Sequence, residues 1–146
     1  MDKLTVRAFM TPMPHTVGVE QPLAVAREMM REHRIRHLPV LHGGQLVGVL
    51  SERDVALVAA LPGVDVVRLA VGEAMTPEPH VISPDSSLEW VATEMAQLKF
   101  GSLIVVEHSR VVGIFTTVDA LRALHELLAR ARRRRRAVRH PVEPRS

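Results

Sequence analysis

The chain contains two copies of one sequence pattern, set 65 residues apart. Aligned without a gap, the 51 positions from 6 to 56 share 13 identical residues with the positions 65 further on. The identities include Met10-Thr11-Pro12 against Met75-Thr76-Pro77 and Gly48 against Gly113. A long repeat of this kind is typical of a fold built from equivalent units, and two copies are too few for a solenoid. The sequence therefore predicts two similar units that pack on each other.

Each unit has the pattern of a strand, a helix, two strands and a second helix, after a short helical lead-in. Apolar residues at helical spacing indicate the first helix of each unit, and short apolar runs joined by a turn indicate the two adjacent strands. In the first unit we expect a lead-in at 6–10, strands at 16–19, 38–41 and 46–51, and helices at 23–30 and 52–61. In the second unit we expect a lead-in at 71–75, strands at 81–83, 102–107 and 111–116, and helices at 88–98 and 117–132. Strands mixed with helices at this spacing predict an α/β or α+β fold.

The most informative repeated segment is a turn between a strand and a helix. It has a hydroxyl residue followed three positions later by an aspartate, as Ser51 and Asp54 in one copy and as Thr116 and Asp119 in the other. If the hydroxyl residue caps the helix, its side chain and the first backbone N–H groups form an anion pocket beside a carboxylate. Such a pocket suits a phosphate and a ribose diol. The alternative is an ordinary capping turn, in which the aspartate is stabilised by the helix dipole.

The chain lacks the residues that several classes of function require. The chain has no cysteine, which excludes disulfides, thiolate zinc sites and cysteine nucleophiles. We find no nucleophile elbow, no carboxylate pair at a defined spacing and no metal-ligand set, so we expect neither an enzyme nor a catalytic cofactor. His15 and His80 follow the repeated Thr-Pro and invite a metal-pair hypothesis, but neither has a carboxylate at ligand spacing, which favours a loop role. Without a signal peptide or a membrane-length apolar run, we expect a soluble, cytoplasmic protein and no membrane contact.

The charge is divided unevenly along the chain. Between Arg130 and Ser146 lie eight of the 19 Lys and Arg residues but one of the 16 acidic residues, which leaves 11 basic and 15 acidic residues in the body. An unbroken run of five arginines extends from Arg132 to Arg136. The run either prolongs the last helix or stays mobile, and mutual repulsion between the arginines favours a mobile chain beyond Arg136. The run is suited to nucleic-acid phosphates or an acidic partner, but a solubilising end is the favoured explanation, because the run has no aromatic interleaving and no folded reading element.

Together these features resemble the cystathionine-beta-synthase (CBS) domain, which is usually found as a tandem pair called a Bateman module. The resemblance rests on the repeated Met-Thr-Pro opening, on Leu38-Pro39-Val40, and on the two Gly-x-x-Ser/Thr-x-x-Asp turns. It implies two repeats, each β-α-β-β-α, packed as a pseudo-twofold pair with two related clefts between them. The corresponding division is a first repeat at 1–62, a linker at 63–70, a second repeat at 71–128 and an arginine-rich C-terminal tail at 129–146.

In the family these clefts bind adenosine-containing ligands, with the aspartate on the ribose and the hydroxyl residue near the phosphate. Transferred by position, the resemblance implies two ligand-binding sets. The first cleft would comprise Ser51, Arg53, Asp54, Val81, Ile82, Gly101 and Ser102. The second cleft would comprise Thr116, Asp119, Thr16, Val17, Arg36 and His37. Because Arg36 and His37 add positive charge to the second set, we expect the second cleft to be the better nucleotide binder.

The resemblance implies a stand-alone regulatory module that binds AMP, ADP or ATP, or else NAD or S-adenosylmethionine. It would signal to a partner protein through a conformational change or a rearrangement of the dimer, and such modules commonly form homodimers through their helices. An alternative is a dimerising scaffold whose arginine-rich tail binds nucleic acid or an acidic partner without a nucleotide ligand. A third is a structural adaptor whose clefts bind nothing.

Overall fold

The computed structural model describes residues 4–139. Within that range the chain forms eight strands in two four-stranded sheets, together with four α-helices. The expected class, mixed α and β in two β-α-β-β-α repeats, is confirmed. The strands are β1 (Thr11–Pro12), β2 (Val17–Gly18), β3 (His37–His42), β4 (Gln45–Ser51), β5 (Thr76–Pro77), β6 (Val81–Ile82), β7 (Ser102–Glu107) and β8 (Arg110–Thr116). The helices are α1 (Leu23–His33), α2 (Glu52–Ala59), α3 (Leu88–Leu98) and α4 (Thr117–Arg139).

Each sheet is built from both halves of the chain. The strand order is β2-β3-β4-β5 in the first sheet and β1-β8-β7-β6 in the second. The Thr-Pro strand of each repeat therefore lies antiparallel to the last strand of the other repeat: Thr11 pairs with Ile114, and Thr76 with Val49. The two repeats are thus joined by hydrogen bonds between strands as well as by the chain itself.

The lead-ins are exchanged in the same way. Both are single 3₁₀ turns, at Val6–Ala8 and Val71–Glu73, and confirm the expected helical lead-ins. Val6 has no exposed surface and packs in the core of the second repeat, where its N–H donates to the Ser86 carbonyl at 3.0 Å. Val71 is equally buried in the core of the first repeat, and its N–H donates to the Gln21 carbonyl at 2.8 Å. Separating the repeats would therefore expose both cores.

The last helix is longer than the expected 117–132. It continues through the arginine run to Arg139, so the expectation of a mobile chain beyond Arg136 is wrong over 137–139. The rest of that segment lies outside the described residues. Glu126 offsets part of the repulsion, since it accepts hydrogen bonds from Arg130 and Arg133, each at 3.2 Å. Arginine and alanine are also strong helix formers, and cations are favoured near a helix C-terminus. Across all the residues that the structure describes, no helix is both long and apolar enough to cross a membrane.

Candidate functional site

The first repeated turn, residues 51–54, is a capping box at the start of α2. The Asp54 N–H donates to Ser51 Oγ, and the Ser51 N–H donates to Asp54 Oδ2, both at 3.0 Å. The Glu52 N–H donates to the Arg36 carbonyl at 2.8 Å. Two of the first helical N–H groups are therefore already bonded, and the anion pocket depends on side chains more than on free backbone donors. The Asp54 carboxylate remains half-buried.

Basic side chains line a cavity in front of this turn. The cavity has a volume of about 300 Å³, and its lining residues are Arg36, His37, Ser51, Glu52, Arg53 and Ala56. The pairing of β3 with β4 produces this arrangement because it sets His37 directly opposite Ser51. Three basic residues thus stand around one hydroxyl. One carboxylate opposes them, since Glu52 Oε2 lies 4.0 Å from Arg36 Nε in an exposed ion pair.

His37 also marks the boundary between the repeats. A Cβ atom added to Gly101 of the second repeat would lie 3.4 Å from His37 Nε2. Burial lowers the pKa of His37 below its ordinary value, and the nearby Arg36 acts in the same direction, while the Asp54 and Glu52 carboxylates oppose the shift. The imidazole is therefore biased towards its neutral form. A bound anion would favour the protonated form instead.

The second repeated turn, residues 116–119, is closed. The N–H and the hydroxyl of Thr116 donate to Asp119 Oδ2 at 2.8 and 3.1 Å. The other oxygen, Oδ1, accepts the Thr11 hydroxyl at 3.0 Å and lies 3.9 Å from Arg122 Nη1. Asp119 is 2% exposed. Both of its oxygens bond to the protein, and the buried carboxylate offers a ligand less access than Asp54 does.

In the structure, the predicted site residues that lie opposite each other on neighbouring strands belong to the same sheet. These pairs do not coincide with the two predicted sets. Arg36 and His37 line the cavity beside Ser51, and His37 also approaches Gly101 of the second repeat. Ser102 lies opposite Thr116, and the Gly101 carbonyl accepts hydrogen bonds from the N–H and the hydroxyl of the next residue, Thr117. The positive charge of Arg36, His37 and Arg53 therefore lies at the first turn, and the relative nucleotide affinity of the two clefts stays a prediction. Sequence numbering alone could not assign these residues across the pseudo-twofold pair.

The four predicted residues on the early strands divide into two kinds. Val17 and Ile82 are 2% and 4% exposed and pack in the two hydrophobic cores, so only their backbone can border a ligand. Val81 is 48% exposed, and Thr16 is half-buried. These two side chains alone remain accessible to a ligand at the predicted strands.

Sequence reasoning missed the role of the Met-Thr-Pro segments in these turns. Thr11 reaches Asp119 of the other repeat, and Thr76 lies 3.4 Å from Asp54 Oδ2. The methionine before each threonine covers the glycine that opens the other repeat's turn. A Cβ on Gly48 would lie 2.9 Å from the Thr76 carbonyl oxygen and closer still to the Met75 sulfur. The repetition of Met-Thr-Pro was the available signal, but it does not say which repeat the segment contacts.

The histidines at the repeated Thr-Pro segments stack on rings. His15 lies parallel to His33, with ring centroids 3.8 Å apart, and His80 packs on Phe100 at 4.5 Å. Across residues 4–139, no group of three or more His, Cys, Asp or Glu side chains is placed to hold a metal ion. Each of these histidines therefore has a ring neighbour within the chain, stacked in one case and tilted in the other.

Comparison with known proteins identifies this architecture. The family model of the CBS domain matches residues 6–60 and again residues 71–126. The chain is 33% identical to the CBS domain-containing protein YhcV of Bacillus subtilis over 115 residues, covering 79% of this chain and 81% of the relative.

Two solved structures combine this fold with adenosine-containing ligands. CBSX2 from Arabidopsis thaliana, in complex with AMP, superposes with a TM-score of 0.75 at 30% identity, covering 84% of this chain and 97% of that one. The CBS domain pair of protein MJ0100, in complex with 5-methylthioadenosine and S-adenosyl-L-methionine, has a TM-score of 0.75 at 25% identity, with 86% and 99% covered.

Proposed function

The chain belongs to the CBS domain family, as a tandem pair of CBS domains, and we propose that it is a regulatory module that binds an adenosine-containing ligand at its first turn. The observation that carries the proposal is the basic cavity in front of residues 51–54. A hydroxyl, three basic side chains and the Glu52 carboxylate line the cavity, and Asp54 lies beside it in the same turn; the basic groups and the hydroxyl suit a phosphate, and Asp54 suits a ribose. AMP, ADP and ATP are the first candidates, and NAD and S-adenosylmethionine follow.

Different groups in and beside the cavity would contact the phosphate and the ribose of the ligand. Arg36 and Arg53 are exposed cations that a phosphate can reach, with His37 between them and the second repeat. Asp54 accepts its bonds through Oδ2, and within residues 4–139 no hydrogen bond to its Oδ1 is found. That oxygen is free to accept a ribose hydroxyl. We assign the phosphate to the arginines and the ribose to Asp54.

Ligand binding would act on the angle between the repeats. The cavity is bordered by the first repeat, but His37 approaches Gly101, and Asp54 approaches Thr76 on the exchanged strand β5. A ligand that contacts His37 and Asp54 therefore interacts differently with each inter-repeat arrangement. Such differential affinity shifts the population towards one arrangement. A regulated partner protein would detect that shift.

The test is thermal unfolding of the full chain with AMP, ADP, ATP, NAD or S-adenosylmethionine. A ligand at a hundred times its dissociation constant stabilises the folded state by about 2.7 kcal/mol, which raises the midpoint by about 5–10 °C for a chain of this size. We expect Asp54→Asn to lose most of this shift, and the exposed control Asp85→Asn to keep it. A panel without any shift would contradict the proposal and favour a scaffold that binds no nucleotide.

We also propose that the module forms a homodimer through α3 and α4. Exposed apolar side chains lie on both helices: Trp90, Leu98, Val118, Leu121, Leu124 and Leu128. Between the helices is a largely apolar groove of about 720 Å³. A second copy would remove this surface from water. Sedimentation velocity should give a dimer, and Leu121→Glu with Leu128→Glu should give a monomer; a monomeric native chain would contradict this.

A further inference from the structure

The C-terminal part of α4 extends beyond the folded body. Arg130 is the last residue with a described contact to the body, where its guanidinium lies 6.0 Å from the centre of the Phe9 ring. Every residue from 131 to 139 is exposed. We call residues 131–139 the arginine helix. It covers no part of either hydrophobic core, so packing within the chain does not explain its sequence.

Most of the charge on the arginine helix is uncompensated. Glu126 pairs with Arg130 and Arg133, and these hydrogen bonds lower the pKa of Glu126 despite an opposing effect of burial. Within residues 4–139, five further arginines have no carboxylate within 4 Å: Arg132, Arg134, Arg135, Arg136 and Arg139. Like charges four residues apart on a helix are destabilising, and Arg132 with Arg136 and Arg135 with Arg139 form two such pairs. The arginine helix thus carries a repulsion that a polyanion would relieve.

The arrangement of the arginines favours one class of polyanion. Five consecutive arginines on a helix of 3.6 residues per turn project in every direction around its axis. A helix that lies on a membrane surface needs an apolar face opposite its charged face, and 131–139 has none. An acidic protein surface would contact one side of the helix and leave the other arginines in water. A groove with phosphates on both walls would engage all sides.

We infer that the arginine helix docks onto the phosphate backbone of a nucleic-acid duplex. A helix with its side chains is about 10–12 Å across, and the B-DNA major groove is about 12 Å wide. Phosphate contacts carry no sequence information, so binding is expected to be non-specific and strongly dependent on salt. The acidic body, with 15 acidic against 11 basic residues before Arg130, limits the contact to this helix. This inference is independent of the ligand site in the first repeat.

The test is fluorescence polarisation of labelled 20-base-pair duplexes of DNA and of RNA, titrated with the full chain between 50 and 200 mM NaCl. The variant Arg132→Gln/Arg135→Gln/Arg139→Gln keeps Glu126 paired and preserves helix propensity. The matched control Arg27→Gln/Arg68→Gln/Arg110→Gln removes the same charge from the body. We expect the slope of log K against log[NaCl] to become shallower by about 2.7 in the variant, which is about 0.9 for each lost phosphate contact. The control should keep the native slope.

Each alternative has its own outcome. Tighter binding to the DNA duplex supports a helix that lies in the major groove, and tighter binding to the RNA duplex assigns the phosphates to RNA. No binding at 50 mM NaCl, or an equal loss of slope in both triple variants, would overturn the inference. Binding to phosphatidylglycerol vesicles or to poly-L-glutamate that equals or exceeds binding to either duplex would overturn it in favour of a membrane or an acidic protein.

Discussion

At the scale of single residues, the two aspartates of the repeated turns differ in burial and in hydrogen bonding. Asp119 is buried, and four groups of the protein surround its two oxygens. Asp54 is half-buried and keeps one oxygen without a described partner. The same residue at the same repeat position thus caps a helix in both copies, but only the Asp54 carboxylate is partly exposed.

The difference predicts unequal stability effects. Asp119→Ala removes a buried helix cap and leaves the Thr116 N–H and the Thr11 hydroxyl without their acceptor, which should cost about 2–4 kcal/mol of unfolding free energy. Asp54→Ala removes one half-exposed cap and should cost about 1 kcal/mol. Urea unfolding of both variants measures the comparison. Equal costs, or a larger cost at Asp54, would contradict the assigned roles.

His37 gives the stability a dependence on pH. Its pKa in the folded state is lowered, so at mildly acidic pH the unfolded state binds more protons than the folded state. The contribution of His37 to stability is therefore complete above its unfolded pKa of about 6.5 and declines as the pH falls below that value. We expect His37→Gln to remove this decline, so that the stability difference between native chain and variant changes between pH 7.5 and 5.5. Parallel stability profiles would show that His37 does not carry the effect.

At the scale of elements, the exchanged Thr-Pro strands explain the glycine that opens each turn. Gly48 and Gly113 lie beneath Met75 and Met10 of the other repeat, and a Cβ atom at Gly113 would lie 3.1 Å from the Thr11 carbonyl oxygen. The glycine thus permits the close approach of another strand. Packing between the repeats thus explains its place in the repeated motif.

Gly48→Ala should therefore separate β5 from β4. The added methyl group would meet both a backbone oxygen and the Met75 side chain, and such overpacking costs about 1–3 kcal/mol. Gly18→Ala is the matched control, because its Cβ would meet the flexible Gln21 side chain at an ordinary 3.4 Å. Chemical denaturation should show the loss at Gly48 and a change within about 0.5 kcal/mol at Gly18. A neutral Gly48→Ala would contradict the packing role.

Elements of this chain were predictable because each depends on local periodicity. Apolar spacing located α1 and α3, and the short apolar runs located the pairs β3 with β4 and β7 with β8. The exchange of lead-ins was not predictable, since two equivalent repeats offer each lead-in two docking places with the same local chemistry. The position of His37 could be predicted approximately. Pairing the residues of β3 and β4 outward from the Gly43-Gly44 turn places His37 near Ser51, although an irregularity between Val40 and Leu41 shifts the register.

At the scale of the whole molecule, the duplication gives a pair whose halves are held together but are not equivalent. Exchanged strands and lead-ins tie each repeat to the other's core, while the basic cavity is found at the first turn and the closed carboxylate at the second. A ligand that enters the cavity would therefore act on the contact region between the two repeats. The assignment of the ligand to the first turn is the central claim of this account.

The most direct test is a crystal structure of the full chain grown with AMP. We expect electron density for AMP in the cavity of the first repeat, with its phosphate against Arg36 and Arg53 and its ribose hydroxyls within hydrogen-bond distance of Asp54. Thr11 should still donate to Asp119 in the same crystal. AMP bound at Thr116 and Asp119 with the first cavity empty would contradict the claim, as would a structure at millimolar AMP with neither site occupied.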